Sequence, residues 1–462
     1  MAANPLHAIA QWCAGDAIES LPGPAIALVK RAVLDTLAVS LLGSRQQGPR
    51  IVAKLQFAQQ ERADASVYGM GRKTGCSSAA MINGTSAHAD LFDDNNAPMI
   101  AHPSAPLLSS LLPLAQVRGC GGREVIEAYA VGFEVGVKLG RMLHPALYEH
   151  GWHATRVLGV IGATAACARL LRLGAEQCAA AIGVAASMAS GLRQNFGTMT
   201  MALHSGLTAR DAIHAALLAE AGFGADADAL HGRYGFFSVF AQQNPALLPL
   251  GAPFELEVSG IIFKPFPSGA PTHAAVDAAL ALRERLAGDV TGIERVVCFV
   301  HPWNAMTLRE EPPKDPLQAK VSLRYCVAAA LLKGRLTHLE FEPQCLNDAG
   351  LRDLTARIDV QISAELPDNG EFPAELHIRT RDGQMLIERR EVPPGGSSRR
   401  LSYEQLVEKL RSCANGILDN STVDRVTHEV ARLEELGGVR ALCEMLEGTA
   451  HPPLVDPDHQ EA

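Results

Sequence analysis

The chain lacks the compact catalytic signatures by which many enzymes are recognised. It has no G-x-x-x-x-G-K-[ST] phosphate loop, no H-E-x-x-H, no G-x-S-x-G, and no G-x-G-x-x-G following a strand. Those absences remove the P-loop, zincin, serine-hydrolase and dinucleotide-binding readings. No C-x-x-C pair occurs among its ten cysteines. Several cysteines sit in apolar settings such as A-A-C-A-R-L, so they read as reduced, buried thiols rather than redox or zinc ligands. A basic excess is also missing. The net charge of −9 excludes a nucleic-acid partner, but leaves room for a local pocket that takes an anionic substrate. The longest charge-free apolar run near the middle, V-L-G-V-I-G-A-T-A-A-C-A between Arg156 and Arg169, falls short of the about 20 residues of a membrane span. It predicts a buried helix and no membrane partner. The opening M-A-A-N-P-L-H-A-I-A-Q-W-C-A-G-D has neither a basic start nor a long apolar core, so a secretory signal is not expected and the cytoplasm is. Sixteen histidines are present, yet none pairs at i, i+4 beside a carboxylate, and the acidic cluster described below lacks calcium-loop spacing. No metal is expected.

What is present is a long chain with two kinds of pattern. At 462 residues it is too long for one ordinary core, and two domains are expected. Residues 1–262 read mostly as helix. In I-A-L-V-K-R-A-V-L-D-T-L-A-V-S-L-L-G, Ile26, Val29, Val33, Leu37 and Leu41 share a face and Gly43 reads as the cap. Later segments rich in Ala and Gly predict closely packed helices. After 262 strand signals appear at 295–300 and 356–362. A hairpin is expected where Leu376, Ile378 and Thr380 alternate ahead of Asp382-Gly383. Helical patches lie near 273–286 and 316–333. The P-P-G-G-S-S stretch at 393–398 reads as a linker, and helix resumes at Ser402. The fold class expected is therefore mainly α with a smaller α+β domain. Residues 1–262 and 397–462 form the helical domain and 263–396 the α+β lid. The final H-P-P-L-V-D-P-D-H-Q-E-A is expected to fray.

The densest chemistry lies at 83–106, N-G-T-S-A-H-A-D-L-F-D-D-N-N-A-P-M-I-A-H-P-S-A-P. His88 and His102 bracket Asp90, Asp93, Asp94 and two asparagines. Asn83-Gly84 and Asn95-Asn96 also fit ordinary turns, and aspartates often cap helices. However, a histidine held by Pro103 ahead of the apolar L-L-S-S-L-L-P-L-A is well placed to be aimed into a cleft, and Asp93 or Asp94 could orient it. His153 precedes the buried helix starting near Val157, and His204 in A-L-H-S-G is read as standing before another helix. Lys264 sits between Phe263 and Phe266, with Thr272 and His273 beyond. Tyr325 falls inside an apolar helix.

Taken in order, N-G-x-x-x-H-A-D-L-F-D-D, H-P-S, G-W-H-A-T, G-T-M-T-M-A-L-H-S-G, H-G-R-Y-G-F, K-P-F-P-S-G-A-P-T-H and Q-A-K-V-S-L-R-Y resemble the MmgE/PrpD family, over nearly the whole chain. That family includes 2-methylcitrate dehydratase, cis-aconitate decarboxylase and iminodisuccinate epimerase. The resemblance implies a helical domain made from both chain ends and an α+β lid. It also implies an active site in the cleft between them, a homodimer, no cofactor, and a small carboxylate substrate. It assigns catalytic places to His102, His153, Lys264, Tyr325 and Asp93 (or Asp94). Substrate contacts are expected from Asp94, Asn95, His88, Met201, His204, Gly269, Thr272 and His273. Three departures stand out. Leu91 occupies the place of the first aspartate, Met201 that of a lysine, and Gly269 that of a histidine which the decarboxylases carry. Losing an ammonium and an imidazole removes charge that would bind a third carboxylate or protonate a leaving group, which points away from cis-aconitate decarboxylation. The function expected is removal of a proton next to a carboxylate, most simply in a dehydratase of the 2-methylcitrate type, with an epimerase of the iminodisuccinate type or a decayed member as alternatives.

Overall fold

In the computed structural model, residues 4–15, 21–305, 308, 311–368 and 370–449 are described; the expected fraying of the tail lies outside them. The chain divides into two compact units. One comprises Met1–Ala89, Pro98–Ile261 and Tyr403–Ala462, the other Asp90–Ala97 and Ile262–Ser402. The boundaries expected from sequence kept 90–97 with the helices; the structure groups this acidic stretch with the second unit.

The first unit is helical. Its main elements are α1 (Gly23–Gly43), α2 (Cys76–His88), α3 (Ser104–Arg118), α4 (Gly122–Leu143), α5 (Ala154–Leu170), α6 (Ala175–Met188) and α7 (Met199–Glu220). A short antiparallel pair, β1 (Ala65–Val67) with β2 (Arg72–Thr74), precedes α2. Small residues set the packing. A Cβ on Gly84 of α2 would lie 3.0 Å from the Gly206 Cα of α7, and one on Gly132 of α4 would lie 2.6 Å from the Gly162 carbonyl of α5. The Ala/Gly-rich composition therefore sets how closely these backbones approach, beyond its good helix propensity for alanine. Gly43 is the last helical residue of α1 rather than its cap, and it is pressed against the Ser86 backbone.

Asn83-Gly84 is not a turn but lies inside α2, which is buried from Ser78 to His88. A buried helix carrying Asn, Thr and Ser must satisfy their polar atoms locally. Thr85 and Ser86 donate back to the carbonyls of Met81 (2.7 Å) and Ile82 (3.0 Å). The Asn83 amide accepts from the Tyr68 N–H and donates to the Ser66 carbonyl, both at 3.0 Å, tying α2 to β1. The ten cysteines are all free thiols, and seven are buried.

The second unit holds a four-stranded sheet in the order β4-β3-β5-β6, with β3 (Ile293–Val300), β4 (Ile358–Ile362), β5 (Ala374–Thr380) and β6 (Met385–Arg390). β3 and β4 run parallel, with Val296 opposite Ile358; the other pairs are antiparallel. The expected hairpin is present, with Gly383 at φ +88°. Alternate residues Ala374, Leu376, Ile378 and Thr380 are buried. α8 (His273–Arg285) precedes β3, and α9 (Leu323–Lys333) and α10 (Ala349–Ala356) lie between β3 and β4. α8 and α9 supply Ala275, Ala279, Leu282, Cys326 and Ala330 to a core shared with Val296, Cys298 and Ile378. The helix expected over 316–333 is broken at 320–322, because Ser322 caps α9 by accepting the Tyr325 N–H.

The chain then returns to the first unit through α11 (Tyr403–Ala414) and α12 (Asn420–Ala431). A buried ion pair, Lys409 to Asp35 at 2.7 Å, fastens α11 to α1. Among the described residues no helix is long and apolar enough to cross a membrane.

Candidate functional site

Within the helical unit, four histidines far apart in sequence converge. His88 ends α2, His102 lies just ahead of α3, His153 is the N-cap of α5, and His204 lies in α7. His204 is thus inside its helix, not before it. The His88 ring centroid is 4.7 Å from that of His102 and 5.7 Å from that of His153. His153 Nδ1 and His204 Nδ1 are 2.9 Å apart, a hydrogen bond between two imidazoles. His88, His153 and His204 are buried.

Backbone contacts fix this cluster. The His102 N–H donates to Thr155 Oγ1 at 3.1 Å, which ties the approach to α3 onto the first turn of α5. The His153 N–H donates to the Gly191 carbonyl at 3.0 Å. The Phe196 ring stands edge-on to His153, with centroids 4.9 Å apart. One turn along, the buried Arg156 guanidinium pairs with Asp211 of α7 and donates to the Met188 carbonyl at 3.0 Å. Burial, reinforced by His88 and by Arg156, pulls the His204 imidazole down to about 4. At neutral pH His204 is therefore uncharged. Met201 is buried in the first turns of α7.

A second cluster lies within the second unit, around the acidic stretch. The chain enters it through Leu91, a branched residue held at φ +54°, a conformation that costs energy without glycine. Two buried lysines hold it there. Lys264 Nζ donates to the Leu91 carbonyl at 2.8 Å and lies 3.9 Å from Asp93. Lys320 Nζ donates to Asp90 Oδ1 at 2.6 Å and to the Asp90 carbonyl at 3.2 Å. Asn95 and Ile262 exchange both backbone hydrogen bonds, at 2.8 and 2.9 Å. Asp93 and Asp94 are buried.

The remaining candidates belong to this unit as well. Gly269 donates its N–H to the Lys320 carbonyl at 2.8 Å. Ser268 and Thr272 share a hydroxyl hydrogen bond of 2.8 Å, and a ring nitrogen of His273 lies 3.2 Å from the Ser268 carbonyl. These contacts form a polar turn that starts α8. Gly269 itself has φ −57°, and a Cβ there would meet nothing nearer than 3.7 Å. Neither backbone nor packing requires glycine at this position. The Tyr325 hydroxyl donates to the Glu340 carbonyl at 2.5 Å, and burial pushes its ionisation upward. In this structure its proton points to that carbonyl inside the core of the unit.

Sequence reasoning took Tyr325 from Q-A-K-V-S-L-R-Y and passed over Lys320 in the same motif. The signal was the one used for Lys264, an ammonium in an apolar run that must be paired if buried. Thr155, Arg156 and Phe196 were also missed. Threonine and phenylalanine beside a histidine carry no pattern of their own.

Comparison with known proteins matches residues 7–248 to the MmgE/PrpD N-terminal domain and residues 266–435 to the MmgE/PrpD C-terminal domain. The chain is 29% identical over 442 residues to a human cis-aconitate decarboxylase, covering 92% of this chain and 91% of that protein. It is 26% identical over 457 residues to a cis-aconitate decarboxylase-like protein, oryM, of Aspergillus oryzae, covering 93% and 94%. It is 25% identical over 478 residues to a cis-aconitate decarboxylase of Aspergillus terreus, covering 97% and 96%.

Proposed function

The chain belongs to the MmgE/PrpD family, and from that premise we propose that it is a lyase acting on a small di- or tricarboxylate. Its central step is proton transfer at a carbon next to a carboxylate. The observation that carries this reading is the convergence of His88, His102, His153 and His204, three of them buried. A weakly acidic C–H needs a base that is neutral, positioned and shielded from water. Imidazoles held by neighbouring helices supply that. His153 is the favoured base, because its place at the N-terminus of α5 disfavours a resident positive charge. Lys264, Asp93 and Lys320 are the carboxylate-handling and loop-holding groups in this reading. Tyr325 acts by packing.

Dehydration is favoured over decarboxylation on two grounds. Met201 puts an apolar side chain where the family resemblance implies an ammonium, and Gly269 stands where the resemblance implies an imidazole for the decarboxylases. Cis-aconitate, the substrate named for the relatives, and 2-methylcitrate are the first acids to test. Formation of a conjugated double bond is followed in the ultraviolet, and carbon dioxide release is measured beside it. Absorbance gained from a hydroxy acid without carbon dioxide supports dehydration; carbon dioxide from cis-aconitate overturns it. The same apolar Met201 also favours a second reading, epimerisation, which would show as exchange of substrate hydrogen with deuterated water without net product. His153→Ala is expected to lower turnover at least about a hundredfold; unchanged turnover removes His153 from the chemistry. The reading includes a homodimer, checked by sedimentation, and a reducing compartment in which ten free thiols are stable.

A further inference from the structure

Arg156 holds part of its bonding capacity in reserve. Its side chain is 4% exposed. A guanidinium donates from Nε, Nη1 and Nη2. Here Nε reaches Ser190 Oγ at 3.4 Å, and Nη2 serves both the Met188 carbonyl at 3.0 Å and Asp211. Nη1 is buried and has no hydrogen-bond partner among the described residues. Leaving a charged donor unmet in the interior is costly, more so than for a neutral group.

The charge is unmet as well. Asp211 is shared, because its other oxygen accepts from Arg210 Nε at 2.8 Å and Nη2 at 2.7 Å. One carboxylate between two guanidiniums leaves the trio with a net positive charge. Arg210 keeps 34% of its side chain open to solvent, and Arg156 does not. Burial works against the Arg156 charge, Asp211 supports it and Arg210 opposes it.

Position joins this charge to the histidine cluster. Arg156 lies in the first turn of α5, and its N–H donates to the His153 carbonyl at 2.9 Å. Gly191, whose carbonyl takes the His153 N–H, lies between the Arg156 stem and the His204 ring. A Cβ there would fall 2.8 Å from Arg156 Cγ and 3.6 Å from His204 Cε1, and its φ of +105° favours glycine.

We propose that Arg156 is a substrate-binding residue: its Nη1, buried beside the histidine cluster, donates to one carboxylate of the small acid. The proposal rests on the reading of the chain as an enzyme of small carboxylates. A carboxylate is the ligand class that fits. It carries the opposite charge, is planar like the guanidinium, and has lone pairs for the Nη1 hydrogens. The net charge of the trio matches a single carboxylate. Asp211 and Arg210 hold the guanidinium in place. This contact comes from α5, whereas Met201 of α7 stays apolar.

Calorimetry on the full chain with succinate and its monoamide, succinamate, couples one ligand carboxylate to Arg156. Wild-type protein should bind succinate about ten- to a hundredfold tighter than succinamate, the size of a hydrogen bond to a charged group. In the double variant Arg156→Gln, Asp211→Asn both buried charges become amides, and that preference should shrink to within about threefold. An undiminished preference, or no binding of succinate, overturns the proposal. A crystal structure of the wild-type chain at saturating succinate depends on no variant. A carboxylate oxygen about 3 Å from Nη1 is expected; a water there, with the acid elsewhere, overturns it. For an acid that is turned over, the double variant should raise KM about tenfold or more and leave kcat within severalfold. Coupling to Arg156 with no turnover of any acid named above defeats the lyase reading and leaves the anion site standing. Turnover with KM unchanged in the variant does the reverse.

Discussion

Lys320→Met tests how the acidic stretch is held. Lys320 is 3% exposed and Asp90 1%; their 2.6 Å contact is therefore a desolvated ion pair. Methionine keeps most of the stem, so the loss is chiefly electrostatic: the ion pair and the contact of the ammonium with the Phe341 ring, 5.1 Å from its centroid. Removing one partner of a buried pair leaves the other charge uncompensated and costs about 3–5 kcal/mol. The hydrogen bond to the Asp90 carbonyl disappears as well, although Leu91 still needs support in its left-handed conformation. Asp90→Asn in the same chain removes the stranded charge. The double variant should recover at least about 2 kcal/mol of the single-variant loss, as expected for directly coupled neighbours. A chain of two units need not unfold in one step. Trp303 is the one tryptophan of three in the second unit; its fluorescence in a Trp12→Phe, Trp152→Phe background follows the relevant urea transition. Hydrogen exchange over 90–97 should accelerate in Lys320→Met and recover in the double variant. A loss below about 1 kcal/mol, with exchange over 90–97 unchanged, refutes the reasoning.

Three further outcomes follow from particular contacts. Gly206→Ala should cost about 1–3 kcal/mol through overpacking at the α2–α7 crossing, read as a lower urea midpoint; no loss would mean the helices separate freely. Gly269→Ala should leave stability within about 0.5 kcal/mol, since the position has ordinary backbone geometry and a Cβ there makes only ordinary van der Waals contacts; a larger loss in thermal melts would contradict that. Burial holds His144 and His204 down to about 4, against 6.5 for the free side chain. The unfolded chain therefore binds more protons than the folded one between those values. Stability should fall as pH drops from 6.5 towards 4, with no further loss from these groups below that. His144→Gln should flatten part of the slope in urea midpoints measured across the window, and an unchanged slope would remove His144 from it.

The architecture was legible wherever one residue pattern met one environment. The β5–β6 hairpin was readable because alternation, a turn dipeptide and a one-sided core coincide there. The helix after His153 was readable because it is apolar on every side. The errors fall where a polar residue serves a buried purpose. Asn83-Gly84 has the composition of a turn, yet the asparagine satisfies a strand edge and the glycine admits another helix. His204 seemed to precede a helix because Ser205-Gly206 looks like a break, and Gly206 is there for the α7–α2 approach instead. The histidines and the aspartates of 83–106 read as one polar stretch, yet they belong to different units. Nothing in local composition says that the chain leaves one unit after Ala89 and rejoins it at Pro98. That division depends on Lys264 and Lys320, respectively more than 160 and 220 residues further along.

The same two lysines decide what charge the second unit can offer to an anion. The sequence left room for a local pocket that takes an anionic substrate, with Lys264 among its expected residues. In the structure Lys320 is matched by Asp90 at 2.6 Å, and Lys264 faces Asp93 at 3.9 Å and donates to the Leu91 carbonyl. Asp94 adds a further buried carboxyl group. Gly269 contributes no charge. A third carboxylate on the substrate therefore finds no unmatched lysine among these groups, and its desolvation is poorly compensated. Competitive inhibition by a series of small acids of equal carbon skeleton should show affinity rising from one carboxylate to two, then staying within about threefold from two to three. Each well-paired charge would otherwise add about tenfold or more. A tenfold gain for the tricarboxylate would mean that a cation among these residues is free to bind it, and would return the balance to decarboxylation.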